Sequence, residues 1–474
     1  MSTMTASTTS ATTSGKIADL HKRLAETRAP RGEEAIRQLH DAGRMTARDM
    51  VYSLLDDGSF VEIDALARHR SPGNKEDRPV TDGVVSGHGT VDGRPVCVFA
   101  QDASIFDGQV GEVAGEKILK VMQLAVKSGS PIVGIYHGAG ARVTEGMASL
   151  EAFTKIYRLQ SRASGVIPQI AMVAGATSGA QVFGVSLSDV VVEVAGRAQL
   201  RLSEGDEASS DLDATSGTAH ILTEDERTAL DAVADVLAFL PSNNRAVPLS
   251  SESGEPCAHD LNAAIPDEAA TTYDVNAVID GIVDCDSVVE LQPRYAPNML
   301  TAFARVDGRS VGVLANQPSQ QAGALDVDAA EKAARFVRLC DAFNVPLLSI
   351  VDVPGFQPNS GAEEAVVRRT AKLLGAVANA SVGMISVITR KAYGTAYLAL
   401  GAKRMGTDFV FAWPTAEIAA AEVDGASPYE AAARGLVDAV IPPDQTRGKI
   451  VEALRLIERK VDDSHTRKHD TIAF

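Results

Sequence analysis

The chain has 474 residues, 45% of them hydrophobic and 23% charged, which is enough to bury two substantial cores. Its net charge of −17 argues against nucleic acid or an anionic membrane as the main partner, while leaving room for a local basic pocket. No apolar run approaches the roughly 18 residues of a membrane span, and Cys97, Cys257, Cys285 and Cys340 show no CxxC spacing, which predicts reduced thiols, no zinc or other metal site, and a cytoplasmic protein.

Residues 1–15 are rich in Ser and Thr without the apolar core of a signal peptide, and read as a disordered tail. Residues 16–55 look helical, with Ile17, Leu20 and Leu24 on one face. Gly58–Ile63 turns into a strand, and strands alternate through Asp82–Asp102 around the hairpin signal Val91-Asp92-Gly93-Arg94. From Gly111 the pattern becomes βα, the mark of a layered α/β fold. An amphipathic helix over Gly115–Ser128 precedes the apolar run Pro131–Ile135, which ends at Gly138-Ala139-Gly140. A second run, Gln169–Val173, leads to the small-residue turn at Gly179-Ala180. Residues 244–270 are poor in large apolar side chains and read as an inter-domain linker, dividing the chain into domains 16–243 and 271–474. Near the end, Gly448–Val461 is a further amphipathic helix.

The second domain repeats the first at an offset of 215 positions. Glu116-Lys117 is answered by Glu331-Lys332, Pro131 by Pro346, Gly179 by Gly394, and the hairpin signal by Val306-Asp307-Gly308-Arg309. No gap is needed over more than sixty positions, so the chain is read as two α/β domains related by internal duplication.

No GxSxG, HExxH or Walker A motif is present. His137 stands beside the first glycine turn, where a lone histidine is more often structural than catalytic. The chemistry that remains is that of the backbone. In Ala174–Ala180 and again in Arg390–Ala396, a strand feeds a helix through small residues, which aims consecutive N–H donors and the helix dipole at one spot. That spot suits a developing oxyanion such as a thioester enolate. The alternative is close helix–strand packing that merely requires small side chains.

At these residues the sequence resembles the carboxyltransferase (β) subunits of biotin-dependent acyl-CoA carboxylases, whose fold is two tandem crotonase-like domains. In the first domain the resemblance rests on Leu55–Glu62, Gly140–Gly146 and Ala163–Ile170. In the second it rests on Lys332–Phe343, Val351–Phe356, Ile388–Gly394 and Phe411–Ala416. It implies transfer of a carboxyl group from carboxybiotin, carried by a partner carrier domain and formed on a biotin carboxylase subunit, to the α-carbon of a short-chain acyl-CoA. Two oxyanion holes are then implied: Gly179 and Ala180 for the thioester oxygen, Thr395 and Ala396 for the biotin oxygen. Gly140, Ala141, Arg142, Lys391, Tyr393 and Leu398 are implied in substrate binding, and the assembly is expected to be a homohexamer with sites between subunits.

The chain departs from the family pattern in several places. Gly179-Ala180 and Gly394-Thr395 stand where two glycines are usual, Asp107-Gly108-Gln109 replaces a Gly-Gly-Ser turn, and Gly138-Ala139 replaces Ser-Gly. Two stretches are missing, one between Ser203 and Thr215 and one between Ala420 and Pro428. Three readings follow: a carboxyltransferase with a trimmed rim, a biotin-independent decarboxylase or acyl/carboxyl transferase of a malonyl-type thioester, or a non-catalytic structural homologue.

Overall fold

The computed structural model describes residues 12–71, 79–202, 210–268, 270–357, 363–423, 425–458 and 460–461. It divides into two compact units, residues 1–213 with 222–234 and residues 214–221 with 235–474. Of the expected tail, 1–11 lie outside the described residues; Thr12 caps the first helix, Thr13–Arg28, by accepting from the Gly15 N–H.

The first unit opens with the helices Thr13–Arg28, Glu33–Asp41 and Ala47–Leu54, where a single helical stretch was expected. Its sheet contains β1 (Val61–Glu62), β2 (Val84–Val91), β3 (Arg94–Gln101), β4 (Ile132–Gly138), β5 (Gln169–Ser178), β6 (Val190–Val194), β7 (Gln199–Arg201) and β8 (Ile221–Thr223). The order is β1-β2-β3-β4-β5-β6-β8, with β7 pairing β5. The hairpin between β2 and β3 turns on Asp92 and Gly93, at φ 50° and 74°, as the Asp-Gly signal requires. From β3 onward the pairing through β6 is parallel. A parallel sheet covered by helices is buried on both faces, which is why β5 reads as the unbroken run Ile170–Ala174 rather than an alternating one. The core gathers Phe99, Ile118, Val121, Phe153, Ile156, Ile167 and Val173 between sheet and helices.

The second unit repeats this plan with β9 (Val289–Leu291), β10 (Met299–Val306), β11 (Arg309–Asn316), β12 (Leu347–Val353), β13 (Met384–Tyr393), β14 (Phe409–Ala412), β15 (Glu417–Ala419) and β16 (Ala439–Val440). Its order, β16-β14-β13-β12-β11-β10-β9 with β15 on β13, is the first sheet's order strand for strand. Trp413 is fully buried in its core and donates from Nε1 to Thr446 Oγ1 at 2.8 Å.

The duplication extends to the sign of φ. Left-handed residues occur at Phe106, Asp107 and Gly108 and again at Gln321, Ala322 and Gly323, 215 positions on. Asp92-Gly93 matches Asp307-Gly308, Gly129 matches Asn344, and Gly179 (φ 59°) matches Gly394 (φ 60°). The irregularity between Tyr136 and Gly138 recurs between Val351 and Val353. Beyond the two turns the offset lengthens to 218: β7 answers β15, the helix Ser210–Thr215 answers Pro428–Ala433, and β8 answers β16. In both units the connection from the short strand to that helix has eight residues, 202–209 and 420–427.

Two expectations change here. The stretch expected as a linker is stitched onto the second unit: Leu261 joins its core, the Ser251 N–H donates to the Gly308 carbonyl, and Asn344 donates to the carbonyls of Asn244 and Ala246. Of the four cysteines expected to be reduced, Cys257 and Cys285 form a disulfide with their Cα atoms 4.8 Å apart. They are 28 positions apart in sequence, and the bridge between Pro256 and Asp284 brings them together, a contact that spacing rules do not register. Cys97 and Cys340 are free and buried, and burial pushes the Cys97 thiol up to about 11.

Candidate active site

The thioester-side turn of the first unit is made by β5 and the helix Gln181–Ser186. Gly179 reverses the chain in the left-handed region, which a Cβ would oppose. Its N–H donates to the Arg201 carbonyl at 2.8 Å, extending the β5–β7 pairing. One of the two donors expected from the sequence is therefore used inside the sheet. The next N–H, that of Ala180, has no acceptor among the described residues, and the Ala180 carbonyl accepts from the Tyr157 hydroxyl. Tyr157 lies on the helix Met147–Ala163, and its ring meets those of Phe153 and Phe183.

Gly140 joins this turn from the end of β4. It holds φ +84°, and a Cβ there would stand 2.9 Å from the Ser178 carbonyl oxygen and 3.5 Å from Gly179 Cα. Gly138 packs more closely still, a Cβ there falling 2.2 Å from the Gly108 oxygen. Ala141 bridges Val110 and is half-buried. The structure thus brings Gly140, Ala141, Gly179 and Ala180 together.

Arg142 does not join them as a free cation. Its side chain is 1% exposed and is held by Asp82, by Glu145 at 2.9 Å and by the Gln109 carbonyl at 2.9 Å, with the guanidinium 4.0 Å from the Phe106 ring centre. The expectation that it takes part in substrate binding is corrected: a charge this deeply paired is a structural tie. Nothing in the sequence near Arg142 points to Asp82, sixty positions upstream.

The second unit builds its turn from β13 and the helix Gly394–Leu398. Gly394, Thr395 and Ala396 occupy the first turn, so their N–H groups have no carbonyl within the helix. Thr395 is exposed, Ala396 is buried, and a Cβ on Gly394 would lie 3.3 Å from the Ala420 carbonyl oxygen. Leu398 is 42% exposed at the helix end, not the ordinary buried leucine of a short helix. Lys391 is half-buried; its N–H donates to Asp352 Oδ1 at 3.0 Å. Tyr393 is buried and donates its hydroxyl to Glu417, and burial together with that carboxylate pushes the phenol up. Glu417 was missed in the sequence because its partner lies 24 residues away on a neighbouring strand.

The duplication also exposes a difference. Asp352 pairs with Arg390, Nε to Oδ2 at 3.0 Å, and Arg390 lies over the Tyr273 ring. The equivalent positions in the first unit are His137 and Gly175, and the imidazole occupies the space beside that glycine: a Cβ there would stand 2.4 Å from His137 Nε2. Burial lowers the His137 pKa, which favours the neutral ring where the other unit has an ion pair.

The carboxyl transferase domain model matches residues 38–427 and 420–472, nearly the whole chain. The chain belongs to the carboxyl transferase family. Within it, the chain is 45% identical over 524 aligned positions to the biotin-dependent acetyl-/propionyl-coenzyme A carboxylase beta5 subunit of Mycobacterium leprae (strain TN), covering 97% of this chain and 95% of that protein. It is 40% identical to the methylmalonyl-CoA decarboxylase subunit alpha of Veillonella parvula, covering 98% and 99%. The transcarboxylase 12S structure, a hexamer assembly with methylmalonyl-coenzyme A and methylmalonic acid bound, superposes with a TM-score of 0.93 at 35% identity, covering 98% of this chain and all of that one. This carboxyl transferase is thus an enzyme of the biotin-dependent acyl-CoA carboxylase family, with two crotonase-like domains. The 524 positions aligned with the beta5 subunit hold about 460 residues of this chain, so some sixty have no counterpart in it. The family match divides at 420–427, the second of the two eight-residue connections.

Proposed function

We propose that this carboxyl transferase moves a carboxyl group from carboxybiotin to the α-carbon of a short-chain acyl-CoA. Gly140, Ala141, Gly179 and Ala180 line the thioester side and Thr395 and Ala396 receive the biotin oxygen, while Lys391, Tyr393 and Leu398 take part in substrate binding. The observation that carries this reading is the pair of turns at Gly179 and Gly394, which share one backbone geometry, φ 59° and 60°. Charge develops on two oxygens in such a transfer, on the thioester as its α-proton leaves and on the biotin ureido group, so two backbone holes are what the chemistry needs. On the thioester side the donor is the Ala180 N–H, because the Gly179 N–H is committed to Arg201. Biotin, when bound, supplies the activated carboxyl group; the protein's part is to receive both oxygens on fixed N–H groups and to hold the reacting carbons in place.

The biotin arrives on a carrier working with a biotin carboxylase subunit, and the chain acts as a homohexamer in the cytoplasm. Support for assembly comes from apolar side chains left exposed beside the first turn, among them Val143 (84% exposed), Met147 (76%) and Phe183 (53%). A second reading, decarboxylation of a malonyl-type thioester without biotin, draws on the two short connections: a trimmed rim admits water, and protonation of the enolate then competes with its carboxylation.

The test is mass spectrometry of malonyl-CoA and methylmalonyl-CoA incubated with the purified full chain, with and without free biotin. Loss of the carboxyl group only with biotin is the expected result. Loss without biotin would establish the second reading, and inertness under both conditions would remove the first.

A further inference from the structure

Gln181 is the first residue of the helix that follows Ala180, and it is 1% exposed. Its Nε2 donates to the Gly108 carbonyl at 3.0 Å and to the Gly140 carbonyl at 3.3 Å. Both neighbours are acceptors, so the amide nitrogen must face them. One side chain thereby ties three segments of the first unit: the turn at Gly108, the loop after β4, and the start of the helix that Ala180 caps.

The second unit serves as a control for this tie. There the equivalent of Gln181 is Ala396, which makes no such bond. The Gly323 carbonyl, equivalent to that of Gly108, accepts instead from Asn316 Nδ2 at 2.9 Å. Asn316 in turn corresponds to Gln101, and each of these two side-chain oxygens accepts a backbone N–H, from Asp352 and His137 respectively. The Gly355 carbonyl, equivalent to that of Gly140, accepts from the Leu325 N–H, just as Gly140 accepts from Val110. Both units therefore fasten the same glycine carbonyl, from different places in the chain. Only in the first unit does the fastening come from the residue next to the proposed oxyanion donor.

We propose that Gln181 is the positioning residue of the thioester-side turn: by holding the Gly108 and Gly140 carbonyls against the start of its helix, it fixes the direction of the Ala180 N–H. The inference rests on the reading of that turn as an oxyanion hole. A donor aimed where charge develops acts on the chemical step more than on binding, so loss of the tie lowers kcat and leaves KM nearly unchanged.

The test compares the full-length protein with Gln181→Met, which keeps the volume and removes both donors, and Gln181→Ala, the residue tolerated at the equivalent position of the other unit. Carboxyl loss from malonyl-CoA is followed with free biotin, and thermal unfolding is recorded in parallel. The expected result is a fall in kcat of at least tenfold in both variants, a KM change under threefold, and melting temperatures close to wild type. Wild-type kcat in Gln181→Met would overturn the inference, since volume alone would then suffice; so would a change confined to KM, or loss of the fold in both variants. An inert wild-type protein would remove the oxyanion-hole reading itself, a failure visible before any variant is made.

Discussion

Replacing Arg142 with Met separates a structural role from a substrate-binding one. The substitution keeps an apolar stem against the Phe106 ring but removes the charge facing Asp82 and Glu145, which are 0% and 5% exposed. Removing one partner of a buried ion pair typically costs about 3–5 kcal/mol, because the remaining charge is stranded. Asp82 offers partial relief: burial already raises its pKa against the pull of Arg142, and without the arginine it takes up a proton more readily. The sign follows from proton binding. A carboxyl whose folded pKa lies above its unfolded one holds more protons in the folded state, so stability falls as pH rises across that interval. Urea unfolding of Arg142→Met should therefore show a deficit of about 3–5 kcal/mol in the first unit at pH 8 and a smaller one at pH 5. Steady-state kinetics on the folded fraction should return an unchanged KM for the acyl-CoA. Wild-type stability combined with a KM raised tenfold or more would refute the structural assignment.

Gly179→Ala and Gly394→Ala each force a Cβ into the left-handed region and should cost about 1 kcal/mol of stability, with a larger proportional loss of kcat, read by thermal unfolding and turnover together. Burial, with Asp213 nearby, pushes the Glu193 carboxyl up to about 8. Wild-type stability should therefore decline between about pH 4.5 and pH 8, and Glu193→Gln should flatten that decline in urea titrations at stepped pH. Reduction of the Cys257–Cys285 disulfide frees a loop spanning 28 positions and should lower the stability of the second unit by about 2–4 kcal/mol, measured by unfolding with and without dithiothreitol.

Much of the architecture was legible because it is local or repeated. The Asp-Gly hairpins announce themselves in two residues, and the 215-position offset marks strands and turns that the structure reproduces down to the sign of φ. The offset's change to 218 beyond the turns was not legible, since short strands such as β7 and β15 carry no periodicity of their own. The site was legible as glycines but not as hydrogen bonds. Nothing near Gly179 in sequence signals that its N–H belongs to Arg201, twenty-two positions on, or that Gln181 reaches back to Gly108. Arg142 looked like a ligand for anions because its burial depends on Asp82, a long-range contact. The cysteine pair escaped for the same reason: the isolated bridge that brings it together joins two loop segments 28 positions apart, not residues of one motif.

The left-handed residues in the duplicated turns before the helices Glu112–Ser128 and Val327–Ala342 are not all glycine. Asp107 and Ala322 hold φ 52° and 53° although both carry a Cβ. Each strained residue costs on the order of 1 kcal/mol, and it persists in both halves although the side chains have nothing in common. The two halves therefore share the path of the main chain here without sharing the side chains. A saturation-mutagenesis map of this protein should then look inverted relative to that of an enzyme with a side-chain nucleophile: apart from ties such as Gln181, side chains around the turns interchangeable, and the costly changes clustered where an added carbon would bend the backbone.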